Sequence, residues 1–138
     1  MFLTNERLKE ILDNKPTLIF VGCSSNPSKP SHRVPAFMKE QGFSIIPINP
    51  TADEILGERV HRSLADIDEE IVKGSIVVLF RPSAEVPVHL EQCLKVAAPV
   101  LFLQEGIQHP SATEAANADK IDLVYDRCIM KEFKRLFF

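Results

Sequence analysis

The sequence predicts an α/β fold: one domain on an open, mainly parallel five-stranded sheet flanked by helices. Three observations predict it. Short apolar runs alternate with amphipathic stretches along the whole chain. The runs are apolar throughout, as in strands covered on both faces. The 138 residues, 45% of them hydrophobic, suit a single core.

TNERLKEILDN (4–14) reads as a helix, with Leu8, Ile11 and Leu12 at helical spacing and Thr4 and Asn5 as candidate caps. TLIFVG (17–22) is the first strand. HRVPAFMKEQG (32–42) is a helix with Ser31 as N-cap, Pro35 in its first turn and Gly42 as its stop. SIIPIN (44–49) is the second strand. TADEILGERV (51–60) is a loop with a turn at Gly57 and a short extended piece, and SLADI (63–67) a brief helix capped by Ser63. SIVVLF (75–80) is the third strand. The helix AEVPVHLEQCLKVAA (84–98) has an apolar stripe of Val86, Leu90, Cys93, Leu94 and Ala97. VLFLQ (100–104), an Ala-rich helix SATEAANA (111–118) capped by Ser111, the strand IDLVYD (121–126) and the helix IMKEFKRLF (129–137) complete the alternation.

A net charge of −3 gives no global sign of a nucleic-acid partner. Locally the balance differs. No carboxylate lies between Asp13 and Glu40, where Lys15, Lys29, Arg33 and Lys39 fall. Cys23, Cys93 and Cys128 form no CxxC pair, which argues against a disulfide framework or structural zinc and fits a reduced cytoplasm. The charged start MFLTNERLKEILDN does not read as a signal peptide, and no apolar run reaches the roughly 18 residues of a membrane span.

In an open parallel sheet, ligands gather beyond the carboxyl ends of the strands. Here those ends carry GCSSNP, NPTA, RPSA, QEGIQ and DRC. The first is the richest. Residues 22–33 offer Gly22 at the strand exit, hydroxyls at Ser24, Ser25, Ser28 and Ser31, the Asn26 amide, and the cations Lys29 and Arg33, just before a helix N-terminus suited to an anion. Pro27 and Pro30 stiffen the segment. It is not a dinucleotide fingerprint, since Ser24 and Pro27 stand where GxGxxG needs glycine, and Asn49 stands where an acidic residue would bind ribose. A plain Ser/Pro-rich connection stays open on residue types alone.

GCSSNPSKPSHRV (22–34), PINP (47–50), ILGERVHRSLADI (55–67), VVLFRPSAEVP (77–87), LQEGI (103–107) and DRCI (126–129) together resemble, in order and spacing, the small CoA-binding proteins of the YccU-like type. These are similar to the N-terminal CoA-binding domain of the succinyl-CoA synthetase alpha subunit. The resemblance covers roughly residues 10–130. It implies a Rossmann-like domain with coenzyme A or an acyl-CoA across the strand ends. By that resemblance Gly22, Ser24, Ser25, Asn26, Lys29, Ser31 and Arg33 meet the phosphates. Asn49 and Pro50 lie near the nucleotide, and Phe80, Arg81 and Pro82 lie along its adenine end. Gln104, Glu105 and Gly106 come nearer the pantetheine. Phe80 could equally face the core. The synthetase's phosphorylated histidine belongs to a second domain, and none of His32, His61, His89 or His109 stands in a matching motif. The resemblance therefore implies binding without ligase activity.

Two other functions stay in view: an adenine-nucleotide (NAD-type) sensor, and an acyl-CoA enzyme using Cys23 or Cys128. His32 could assist a phosphate, Asp122 and Asp126 share a strand face where Mg²⁺ is conceivable, and FKRLFF could cover the sheet or meet a second subunit as a homodimer.

Overall fold

Thr4 opens the first helix by accepting the Arg7 N–H on its Oγ1, at 3.1 Å. From there the computed structural model describes residues 1–138 as α1 (Asn5–Asp13), β1 (Thr17–Val21), α2 (Pro30–Glu40), β2 (Ile45–Ile48), β3 (Glu54–Ile55), β4 (Glu58–Arg59), α3 (Glu69–Lys73), β5 (Ser75–Leu79), α4 (Val86–Lys95), β6 (Val100–Leu103), α5 (Pro110–Asn117), β7 (Asp122–Val124) and α6 (Ile129–Phe137). Short 3₁₀ turns span Leu64–Asp66 and Ser83–Glu85.

The main sheet has the order β2-β1-β5-β6-β7, and every pair is parallel. Val21 lies opposite both Ile48 and Leu79. The chain winds outward from β1 to β2, then returns to build β5, β6 and β7 on the other side. The connections after β1 and β5 therefore diverge to opposite faces and leave a crevice at the strand ends. The expected Rossmann-like α/β domain is thus the fold observed.

Alternation along the strands feeds two cores. Leu18 and Phe20 point to one layer with Leu8, Leu12, Met38 and Phe133, under α1, α2 and α6. Ile19 and Val21 point to the other with Val72, Leu90, Cys93 and Ala116, under α3, α4 and α5. The N-terminal residues cover the outer edge of β7: Leu3 N–H donates to Leu123 C=O and Leu123 N–H to Met1 C=O.

Several local expectations need correction. The cap of α2 is Lys29, not Ser31, and no side chain caps it. Pro30 occupies the first helical position, where its fixed φ suits the helix, so the helix starts before Ser31. Pro35 consequently lies inside the helix, not in its first turn. Likewise α5 begins at Pro110, and His109, not Ser111, caps it by accepting the Ser111 N–H on Nδ1 at 3.1 Å. Leu94 and Ala97 are exposed and leave the apolar stripe. Helix α4 ends at Lys95, and Ala97 turns the chain at φ 54°. The loop 51–60 closes as the β3–β4 hairpin through Leu56 and Gly57, both at positive φ. Helix α3 had no apolar period to announce it, because only Val72 of its five residues is buried.

Candidate functional site

The crevice begins at Gly22. Its φ of +85° is a left-handed conformation, and a Cβ there would stand 2.7 Å from Phe80 O and 2.9 Å from Arg81 Cδ. Glycine thus lets the exits of β1 and β5 touch. The Gly22 and Cys23 N–H groups both donate to Ile48 C=O at 3.1 Å, and Asn49 Nδ2 donates to Cys23 C=O at 2.9 Å. Asn49 Oδ1 accepts the N–H groups of Thr51 (2.9 Å) and Ala52 (2.8 Å). Asn49 is therefore a strut between the loops after β1 and β2.

The loop between β1 and α2 is held by its own polar groups. Ser24 Oγ accepts the Asn26 N–H at 3.0 Å, and Asn26 Oδ1 accepts both the N–H and the hydroxyl of Ser28. The Arg33 guanidinium donates to Ser28 C=O. Pro35 has a specific part in this. Lacking an N–H, it cannot bond the carbonyl of Ser31, four residues earlier. The Ser24 N–H takes that carbonyl instead, at 3.1 Å. His32 Nδ1 meets Ser24 C=O at 2.7 Å, so the first turn of α2 holds both sides of the Ser24 residue. Within that turn the N–H groups of His32 and Arg33 both go to Lys29 C=O and Pro30 has none. The Ser31 N–H is left without a backbone partner.

Two compartments open above the strand ends. One, of about 550 Å³, is lined by Gly22, Ser24, Asn49, Pro50, Arg62, Glu85 and His89. The other, of about 520 Å³, is lined by Val34, Pro82, Gln104, Glu105, Ile107 and Cys128. Lys29, Ser31, Phe80 and Arg81 line both and form the ridge between them. The two make one groove, polar and cationic at β1 and β2, more apolar toward β6 and β7.

Most sequence-predicted residues meet there: Gly22, Ser24, Lys29, Ser31, Asn49, Pro50, Phe80, Arg81, Pro82 and Gln104. Ser25, Asn26, Arg33 and Gly106 line neither compartment. Asn26 and Arg33 brace the loop from outside, and Gly106 donates its N–H to Asp126 Oδ1 at 2.6 Å. Phe80 borders both the core and the groove: its ring lies 6.3 Å from that of Phe20 while it lines the groove. Gln104 is 3% exposed. Its Oε1 accepts the Ile129 N–H at 2.9 Å, which fixes the amide's orientation and leaves Nε2 without a protein partner.

The cations differ in availability. Lys29 enters no ion pair. Arg62 donates to Asn49 C=O and pairs with Asp53 at 2.9 Å. Arg81 donates to Glu85 through Nε (3.2 Å) and Nη2 (2.7 Å). That hydrogen bond, with the Coulomb attraction behind it, holds the Glu85 carboxyl below its usual range and raises Arg81 further.

Arg62, Glu85 and His89 were not singled out from the sequence. Glu85 and His89 stand four apart at the start of α4, a spacing that puts both on one helix face. Arg62 reaches the groove because the β3–β4 hairpin folds back: Ile48 bridges to His61.

Other candidates resolve differently. Burial pushes the Cys23 thiol up to about 12, so it is protonated at neutral pH. Asp122 takes the N-terminal ammonium and Asp126 the Gly106 N–H, so the two carboxylates do not converge, and no group of three His, Cys, Asp or Glu side chains is placed to hold a metal. Of the FKRLFF aromatics, Phe133 packs among Phe37, Phe43 and Phe137, while Phe138 touches Phe37 and Phe133 but stays 76% exposed. No helix is long and apolar enough to cross a membrane.

Comparison with known proteins follows the same lines. The family model described as CoA binding domain matches residues 17–134. The uncharacterised protein YneT of Bacillus subtilis is 37% identical over 122 residues, 88% of each chain. An ADP-forming acetate–CoA ligase of Methanocaldococcus jannaschii is 33% identical over 79 residues, which are 57% of this chain and 11% of the ligase. Among solved structures, a Thermus thermophilus protein superposes with a TM-score of 0.88 at 36% identity, covering 98% of this chain and all of that one. A hypothetical protein from Pyrococcus horikoshii also gives 0.88, at 31% identity, covering 99% and 94%.

Proposed function

This chain belongs to the CoA binding domain family, and on that premise we propose that it binds coenzyme A or an acyl-CoA in the groove above β1 and β5, without catalytic chemistry of its own. One observation carries the reading: a cationic compartment ringed by Lys29, Arg62 and Arg81 runs into a less polar one lined by Gln104, whose Nε2 has no protein partner. CoA has matching parts, about four negative charges near neutral pH at one end and an amide-bearing arm ending in a thiol at the other. Phosphates belong against Lys29, Arg81 and the Ser31 amide. The arm belongs along Pro82 and Ile107, with Gln104 Nε2 donating to a carbonyl.

The absence of catalysis is supported by the groove's chemistry. The Cys23 thiol holds its proton, and Ser31 and His32 are sequence neighbours that do not face one another on the helix. The adenine-nucleotide sensor is less well supported, since Asn49 Oδ1 is already filled by two backbone N–H groups.

Calorimetric titration of CoA, acetyl-CoA, dephospho-CoA, NAD and ADP into the same protein tests the reading. CoA or acetyl-CoA should bind tightest. At about 100 times Kd the protein should gain roughly 2.7 kcal/mol, on the order of 10 °C in Tm. Tighter binding of NAD, or no shift with millimolar CoA, overturns it.

A further inference from the structure

The clamp on Arg81 has a third member. His89 lies one helical turn beyond Glu85, with Nε2 3.5 Å from Glu85 Oε1. Its side chain is 16% exposed, and neither ring nitrogen has a hydrogen-bond partner. Two unpaired polar atoms buried beside a binding compartment are costly unless another state of the protein uses them. Glu85 stands between two partners: it accepts two hydrogen bonds from Arg81, while His89 lies at ion-pair distance without a hydrogen bond of good geometry.

We propose that His89 is a further ligand-linked residue of the polar compartment: when an anionic phosphate takes Arg81, Glu85 transfers to His89, and His89 takes up a proton from solvent. Nothing covalent changes. The guanidinium exchanges a carboxylate for a phosphate, the freed carboxylate gains an imidazolium, and one proton leaves bulk water.

The surrounding charges favour this direction. Without ligand, Lys29, Arg62 and Arg81 line the compartment and oppose a further positive charge. A polyanion reverses that field. The other charged groups on elements packed against α4 do not compete. Asp66 and His109 each serve the N-cap of their own helix, and Glu114 is exposed. Cys23, which also lines the compartment, is neutral. Because the ligand raises the affinity of His89 for its proton, the proton raises the affinity for ligand equally. Binding should therefore be tighter at acid than at alkaline pH.

The inference rests on the phosphate reading of the groove, and the test separates the two. The full-length chain is titrated with dephospho-CoA, which has no phosphate monoester titrating near neutrality, in two buffers of different ionisation enthalpy. The heat difference counts protons taken up. Wild type should take up an appreciable fraction of one proton, up to about one. His89→Asn should still bind, several-fold more weakly, with uptake near zero. Glu85→Gln, which frees Arg81, should bind several-fold more tightly with reduced uptake. Should His89→Asn not fold, the imidazole ¹⁵N shifts of the wild type read the same event, moving toward the doubly protonated form on ligand addition. Equal uptake by wild type and His89→Asn, or unmoved ¹⁵N shifts at saturation, overturns the inference and leaves the binding reading intact. No binding of CoA or dephospho-CoA to wild type overturns both.

Discussion

Gly22 and Phe80 are in contact through their backbones: a methyl group on Gly22 would meet the Phe80 carbonyl oxygen at 2.7 Å. The contact is also a hinge of register, since Phe80 N–H donates to Val21 C=O at 2.9 Å. Gly22→Ala pays twice, for a left-handed φ that costs roughly 1–2 kcal/mol and for a backbone clash no rotamer relieves. It should lose about 2 kcal/mol or more in urea unfolding and weaken CoA at least tenfold by calorimetry. Unchanged stability would show that the two strand exits can separate freely.

Lys29 and Arg33 are separated by what they touch. Lys29 lines both compartments and pairs with nothing, whereas Arg33 donates to Ser28 C=O outside them. Lys29→Ala should weaken CoA about tenfold with little change in Tm, and flatten the salt dependence of binding. Arg33→Ala should act more weakly, through loop order. A larger loss from Arg33→Ala, confined to ligands carrying the 3′-phosphate, would place that phosphate on Arg33 after all.

Asn49 holds Cys23 C=O and two N–H groups of the next loop. Asn49→Ala leaves partly buried groups unpaired and should cost about 1–3 kcal/mol. Asn49→Asp keeps the acceptor but removes the donor to Cys23 C=O, and should cost less. If both leave the urea midpoint where it was, water replaces the strut.

The buried thiols give a pH signature. Burial pushes Cys23 and Cys93 from 9.0 to about 12. Their folded values lie above their unfolded ones, so the contribution is whole below pH 9.0 and is lost as pH rises from there toward about 12. Stability should fall across that window, and Cys93→Ala should make the fall shallower. Iodoacetamide at pH 8 should leave both thiols unmodified until the protein unfolds. Rapid native-state labelling of Cys23 would contradict its burial.

Much of the fold was legible because its strands are buried on both faces. TLIFV, SIVVL and VLFL have no polar residue to place at a surface, apart from their first positions, so their type and parallel setting follow from composition. Helix starts were less legible. Serine caps well in general, but Pro30 and Pro110 set the first helical φ one residue before Ser31 and Ser111 and displaced both caps. The groove was legible where a residue follows its strand directly, as Gly22, Asn49, Phe80 and Gln104 do. It was illegible at Arg62, which arrives through a hairpin with no apolar alternation, and at His89, whose part depends on Glu85 and Arg81 together.

The sequence by itself determined the strand–helix order, the two-sided burial of the sheet and the cationic, proline-stiffened loop after β1. These are local properties of composition and spacing, and each residue carries its own share. Only the tertiary structure decided that Lys29, Arg62 and Arg81 surround one compartment and that the Ser31 carbonyl freed by Pro35 goes to Ser24. Charge pairing and hydrogen bonding act over a few ångströms. Which groups come that close was set by the strand order β2-β1-β5, not by their separation along the chain.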